Sequence, residues 1–253
     1  VIPSGTPVTL TALEGSIYYT TNGADPRLPG GGISPAAAVV VSGNSVTLAG
    51  NARLVARAYN VNTVRWTRWS PPLDNTYVVR SNRFVITEIM YAPPAPPAGS
   101  PYAAEDFEYL EFRNADSQSL NIAGSRLTGG VTFAFPALTL AAGQRVLVVR
   151  NLAAFSTRYN TNGLLIAGEF TGNLANEGNR LQLNGPVGET ILDFAYNNSW
   201  YPVTDGLGFS LVVNDDAAPF DSWGLASSWR PSGTLAGSPG ADNGAAIAFP
   251  PVV

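Results

Sequence analysis

The sequence predicts an all-β protein built from two sandwich-type modules in tandem. Glycine and proline account for 26 and 20 of the 253 residues, whereas only 13% of the residues are charged. Frequent turns and few charged helical faces favour strands over helices. The hydrophobic share of 45% is too high for a disordered chain, and the length allows two modules that each bury a core.

Residues 1–81 are predicted to form the first module, because short apolar runs alternate there with turn signals. The turn Asn22-Gly23 follows the second run and is typical of a tight hairpin connection. The predicted strands of this module are residues 8–12, 16–20, 45–48 and 53–59.

Residues 82–243 are predicted to form the second module, in which the hydrophobic pattern restarts. A proline-rich stretch, residues 92–101, cannot lie inside a sheet and is predicted to be a surface loop. Trp223 and Trp229 predict that the polar tail packs back on the module, and residues 244–253 are interpreted as a linker or terminal tail. The predicted strands are residues 84–91, 107–113, 131–135, 145–150, 180–183, 190–196 and 209–213, with a short helix at 152–159.

Composition argues against several function classes. The net charge is −4 and the basic residues form no run, which disfavours nucleic acid as a partner. No apolar run is long enough to span a bilayer, so we expect no transmembrane segment. The chain contains no Cys, no His and no Lys, so disulfides, thiolate metal sites and the usual activators of a hydroxyl nucleophile are missing. We therefore expect no enzyme activity.

The densest acidic group in the sequence is Glu105, Asp106, Glu108 and Glu111, with Glu88 on a neighbouring predicted strand. Paired carboxylates can act as acid and base on glycosides, and several carboxylates can hold calcium. Strand alternation, however, places Glu108 and Glu111 on opposite faces. The three interpretations left open are catalysis, a calcium site, and structural hydrogen bonding or a solvated edge.

A second candidate calcium site consists of Asp215, Asp216 and Asp221, which are close together in a predicted loop. Backbone carbonyl groups of such a loop could complete the coordination shell. The spacing lacks the glycine and the terminal glutamate of an EF-hand loop, and a plain solvated turn is the alternative.

Tryptophans suggest a candidate glycan site. Trp66 and Trp69 alternate with arginines, so they could form an exposed stacking platform, or one could enter the core while an arginine covers the other. Trp200 and Tyr201, in a predicted loop, present the same two alternatives.

Two segments of the first module form a recognisable pattern, IYYTTNGADPR at residues 17–27 and LVARAY at residues 54–59. With these segments the module resembles the small β-sandwich at the C-terminal end of chitobiases and related β-hexosaminidases. This resemblance implies an accessory module without glycosidase activity. Members of this family usually carry Asp at the position of Asn22.

Four segments of the second module form a recognisable pattern: VITEIMY at residues 85–91, EYLEFRN at 108–114, residues 138–149, and DGLGFSL at 205–211. With these segments the module resembles the lamin-tail domain, which implies an immunoglobulin-like sandwich. The closing segments SWRP at 228–231 and GSPGADN at 237–243 resemble the tail that follows such domains in bacterial multidomain proteins. The fold expected from both resemblances is two tandem immunoglobulin-like β-sandwich domains.

These observations predict a non-catalytic structural or interaction module of a larger exported or cell-surface bacterial protein, mediating assembly or attachment. Both ends of the chain have the composition of linkers, which suggests a fragment of something longer. The expected location is extracellular, on the cell surface or periplasmic, and the expected partners are other subunits or domains of an assembly. A carbohydrate-binding accessory module is the alternative. We expect no cofactor other than the candidate calcium.

Overall fold

A computed structural model describes residues 2–62, 67–79 and 82–244 of the chain. By its internal contacts the chain divides into two units, residues 1–81 with 187–189, and residues 82–186 with 190–253. Regular structure in the described residues is nearly all β-strand, with a single α-helix and a few 3₁₀ turns. The predicted all-β class is confirmed. None of the described helices is long and apolar enough to span a membrane.

The first unit contains a two-stranded sheet, β1-β4, and a four-stranded sheet in the order β3-β2-β5-β6, and all pairings are antiparallel. Its core lies between the two sheets: Val46 and Leu48 of β4 pack with Ile17 of β2 and with Leu54 and Ala56 of β5. The strands are β1 Thr6–Thr9, β2 Ser16–Thr20, β3 Ala38–Val40, β4 Ser45–Leu48, β5 Ala52–Tyr59 and β6 Leu73–Tyr77.

The second unit contains a six-stranded sheet, β14-β13-β8-β7-β18-β19, a five-stranded sheet, β15-β11-β10-β16-β17, and the short pair β12-β9. Every pairing is antiparallel except that of β13 with β14. The strands are β7 Phe84–Met90, β8 Tyr109–Asn114, β9 Leu120–Asn121, β10 Arg126–Gly129, β11 Val131–Ala134, β12 Thr139–Leu140, β13 Arg145–Val149, β14 Ile166–Glu169, β15 Thr171–Gly172, β16 Gly178–Asn184, β17 Thr190–Asn197, β18 Leu211–Val213 and β19 Trp229–Pro231.

The main core of this unit lies between its two large sheets. Alternate side chains of β8 and β13 face the five-stranded sheet, as the two-residue period of a strand requires. Trp223 and Trp229 are fully buried in the same core, which confirms that the tail packs back. The indole N–H of Trp223 donates to the Ile86 carbonyl at 3.1 Å, and that of Trp229 donates to the Trp223 carbonyl at 2.7 Å.

The outer face of the six-stranded sheet carries a second, smaller core beneath helix α1, Leu152–Arg158. Phe155 on this helix packs on Tyr109 of β8, with ring centroids 5.7 Å apart. The Asn151 side chain accepts the Ala154 amide and so caps the helix N-terminus. The predicted helix is confirmed to within one residue. The sheet is thus covered on both faces, so polar side chains on this outer face can also be buried.

Two predicted strands begin later than expected. Phe107 belongs to a 3₁₀ turn, Ala104–Phe107, in which the Asp106 carboxylate accepts the Ala103 amide at 3.0 Å. Strand β8 therefore starts at Tyr109, and β18 starts at Leu211 rather than at residue 209. Residues 92–101 lie outside the sheets, as their prolines predict.

Candidate functional site

Two of the three aspartates of the predicted calcium site bind other groups of the chain: Asp215 accepts the Ala217 amide at 2.8 Å, and Asp216 forms an ion pair with Arg113 at 2.5 Å. Asp221 is exposed in the 3₁₀ turn Phe220–Gly224. Within the described ranges no three His, Cys, Asp or Glu side chains are placed to hold a metal ion. Calcium binding by these aspartates stays a prediction.

The structure corrects the prediction that Trp69 of the first unit belongs to an exposed stacking platform. This side chain is only 5% exposed, and its indole N–H donates to the Gly31 carbonyl at 2.7 Å. Tyr59 and Tyr18 lie against its ring, at centroid distances of 4.7 and 5.9 Å. Trp69 is not an exposed stacking platform because these tyrosines cover it. Trp66 lies outside the described residues.

Trp200 and Tyr201 are both half-buried, in the short 3₁₀ turns that follow β17. Both pack against the main core of the second unit. The Tyr201 hydroxyl donates to the carbonyls of Trp229 and Ala226, at 2.8 and 3.2 Å. The pair is thus anchored to the fold, and glycan binding through it stays a prediction.

An open slot in the first unit, of about 610 Å³, is a candidate binding site, and Trp69 of the predicted tryptophan platform forms part of its lining. Its lining includes the buried core residues Leu10 and Ile17. It also includes Leu13, which is fully exposed, and Leu73, which is 46% exposed. Exposed apolar residues are ordinary when single, but here they border a cavity that reaches core side chains. No local pattern in the sequence predicts that Leu13, which follows β1, is exposed.

Strand β6 begins at this slot, since Leu73 is both its first residue and part of the lining. In the described part of the chain β6 pairs only with β5 and forms one end of the four-stranded sheet. Its first four side chains are exposed, and Asp74 forms an ion pair with Arg53 at 2.7 Å. A sheet end of this kind offers backbone donors and acceptors beside an apolar cavity.

The acidic group predicted from sequence lies in the second unit, where Glu88, Glu108 and Glu111 are buried, Asp106 is half-buried and Glu105 is exposed. On the outer face of the six-stranded sheet, Glu88 of β7 stands opposite Glu111 of β8. The Oε1 atom of Glu88 accepts the Ser210 hydroxyl at 2.5 Å and the Tyr109 hydroxyl at 2.6 Å. Its Oε2 atom is buried without a hydrogen-bond partner among the described residues.

Glu111 is equally buried but has a cation beside it. Its Oε1 atom accepts the Thr87 hydroxyl at 2.8 Å and the Arg145 Nε at 3.1 Å. Burial raises the pKa of Glu88, and burial with the nearby Glu88 charge raises the pKa of Glu111 to about 7. Both carboxyl groups thus resist ionisation, although each accepts several hydrogen bonds.

Glu108 lies on the opposite face, as strand alternation predicts, and its partners are different. Its Oε2 atom accepts the Leu174 amide at 2.9 Å and lies 3.6 Å from Arg150. The side chain is 1% exposed, and Oε1 is buried without a hydrogen-bond partner among the described residues. Burial raises the pKa of Glu108 to about 7. Glu108 and Glu111 therefore cannot act on one substrate from this strand.

Comparisons of the chain with protein-family models, with curated proteins and with solved structures found no match.

Proposed function

We propose that this chain is a non-catalytic structural and interaction component of a larger exported or cell-surface protein, and that it mediates assembly or attachment. The slot beside β6 carries this proposal, because it joins exposed apolar side chains to a strand edge that no other described strand pairs with. A partner that covered Leu13 and Leu73 would remove apolar surface from water.

The acidic group supports the same proposal. Glu88, Glu108 and Glu111 are at most 1% exposed, and their hydrogen bonds go to other groups of the second unit. Carboxylates used in this way organise contacts within the fold and are not placed to contact a substrate in solution.

The proposal extends to the module types. Two-layer, mostly antiparallel sheets with buried tryptophans in the second unit support an immunoglobulin-like, lamin-tail-type domain. A two-sheet arrangement in the first unit supports an accessory sandwich of the chitobiase C-terminal type. An exported location, extracellular, on the surface or periplasmic, follows from these assignments.

Assembly mass tests the proposal. The chain is isolated from its native source under mild conditions, as wild type and as Leu13→Glu, and its mass is measured by light scattering after size exclusion. We expect the wild type in a larger defined complex and Leu13→Glu at the monomer mass. Leu207→Glu is the matched control, since Leu207 is 62% exposed and belongs to the second unit. A monomeric wild type overturns the proposal. An equal mass for the wild type and Leu13→Glu also overturns it.

Carbohydrate binding is the second candidate function, supported by the half-buried Trp200 and Tyr201 in turns at the end of β17. An aromatic ring at a loop can stack on a sugar while its polar tip stays anchored, as the Tyr201 hydroxyl is here. A glycan array with wild type and Trp200→Ala tests this function. Silence of the wild type, or binding unchanged by the substitution, removes it.

A further inference from the structure

The last described segment of the chain, residues 236–243, lies across the buried carboxylates of the second unit. We call this segment the C-terminal strap. The Ser238 amide donates to Glu88 Oε1 at 3.0 Å, and the Gly240 amide donates to Glu111 Oε2 at 2.7 Å. Each buried carboxylate of the outer face therefore holds one backbone amide of the strap.

The backbone of the strap fits closely against the sheet and α1 region. Gly237 and Gly240 both have a φ of +78°. A Cβ atom on Gly237 would lie 2.1 Å from the Tyr109 hydroxyl and 2.3 Å from Glu88 Oε1, and one on Gly240 would lie 2.2 Å from Leu164. A side chain at either position would be strained by the positive φ and would displace its neighbours, so the glycines allow the backbone to reach the carboxylates.

Three further anchors hold the strap. The Ala236 carbonyl accepts the Tyr159 hydroxyl at 2.7 Å, and Asp242 forms an ion pair with Arg145 at 2.5 Å. Arg230 of β19 donates to the Asn243 carbonyl at the far end. The strap is thus tied at both ends and in the middle, where the carboxylates lie.

The charges around the carboxylate pair do not balance. The titratable and charged groups that face Glu88 and Glu111 are Tyr109 on β8, Arg145 on β13, Tyr159 beyond α1 and Asp242 on the strap, and Ser210 and Thr87 are neutral donors. Arg113, Asp216 and Arg230 border the same face, but Arg113 pairs with Asp216, and Arg230 donates to the Asn243 carbonyl of the strap. Among the described residues Arg145 is the one cation bonded to the carboxylate pair, and it also pairs with Asp242. Full ionisation of the pair therefore leaves excess negative charge under the strap.

We propose that the C-terminal strap is a proton-dependent latch, closed on the Glu88–Glu111 pair while the pair retains a proton and released as the pair ionises fully. With one carboxyl neutral, Arg145 compensates the other, and both still accept amides through their oxygens. With both ionised, the like charges repel each other in a site from which the strap excludes water.

The sign of the pH dependence follows from linkage. The raised pKa values of Glu88 and Glu111 belong to the closed state, in which the strap covers them. The strap amides of Ser238 and Gly240 by themselves lower the pKa values of Glu88 and Glu111, but burial is the larger influence and raises both. Opening removes the amide bonds and admits water, and because burial dominates, the closed state binds protons more tightly. Mild acid therefore favours the closed strap, and a rise in pH through about 7 favours the open one.

Hydrogen exchange of the Ser238 and Gly240 amides tests the latch. Protection factors, corrected for the intrinsic pH dependence of exchange, are measured from pH 5.5 to 8.5, with the Leu110 amide of β8 as the reference for global unfolding. We expect the strap protection to fall by up to about tenfold per pH unit between pH 5.5 and about 7, the limit for release of one proton, and to level off above the closed-state pKa of Glu111, while Leu110 stays protected. Protection that is constant or rises with pH overturns the proposal.

Two variants separate the latch from a general effect of pH. Glu111→Gln keeps the shape of the side chain and an oxygen for the Gly240 amide but cannot ionise, so the fall in protection should become shallower or vanish. Glu108→Gln is the matched control, because Glu108 is buried and has a similarly raised pKa. Its partners, the Leu174 amide and Arg150, lie outside the strap. Equal effects of the two variants on strap protection overturn the proposal. The wild-type series decides the question alone if Glu111→Gln does not fold.

Discussion

Replacing Glu108 by Gln should flatten the dependence of stability on pH. Burial raises the pKa of Glu108 from an ordinary value of 4.5 to about 7. A carboxyl group whose pKa is raised on folding adds stability that is complete below its unfolded pKa and is lost as pH rises through its folded pKa. The shift corresponds to about 3 kcal/mol over the whole interval, of which about 2.5 kcal/mol falls between pH 5 and pH 8.

Urea denaturation measures this effect. The free energy of unfolding of the wild type and of Glu108→Gln is determined at several pH values from 5 to 8, with the fluorescence of the buried Trp223 and Trp229 as the signal for the second unit. The difference, wild type minus variant, should fall by about 2.5 kcal/mol across this range. Taking the difference removes the contribution of every other titrating group that the substitution leaves unchanged.

The variant Glu105→Gln is the control. It removes a carboxylate three residues away from Glu108 that is exposed to water in the 3₁₀ turn before β8. Its difference from the wild type should change much less with pH. A difference for Glu108→Gln that is constant from pH 5 to 8, or that grows with pH, would refute the argument that burial without a partner for Oε1 governs this group.

Two neighbouring substitutions in the strap should act in opposite directions. Gly237→Ala should cost at least about 1–2 kcal/mol, because φ is +78° and the added methyl group meets the Tyr109 hydroxyl, and exchange protection at Ser238 should drop. Ala236→Gly should stabilise by about 1 kcal/mol or less, because Ala236 has a φ of +67° and glycine removes that strain at some cost in unfolded-state entropy. Thermal unfolding checks both, and a higher Tm for Gly237→Ala or an unchanged Ser238 protection would contradict the description of the strap.

Much of the strand pattern could be predicted because local signals determine it. Strands β2 and β4 have the predicted bounds, since a turn closes each of these runs. Helix α1 was recognisable from the spacing of apolar residues such as Ala154 and Phe155. Strand β6 was missed, because Asp74 and Asn75 are poor strand formers and only pairing with β5 makes this segment extended.

The candidate site shows where local reasoning stops. Strand alternation correctly predicts that Glu108 and Glu111 lie on opposite faces, because the face of a side chain depends only on the two-residue period of a strand. The partners of Glu88 are Ser210 and Ser238, which lie 122 and 150 positions further along the chain. No local pattern predicts such a contact. The paired glycines Gly237 and Gly240 are a signal of close backbone approach, although they do not identify what is approached.

The buried carboxylates are better explained by specificity than by stability. Glu88 and Glu108 each leave one oxygen without a hydrogen-bond partner among the described residues, and a buried polar atom in that condition costs free energy. Apolar side chains of similar volume could fill the same space without that cost. An apolar surface, however, would not distinguish one position of a glycine-containing segment from the next. Glu88 and Glu111 accept the amides of Ser238 and Gly240 individually, and so they fix the register of the strap on the sheet.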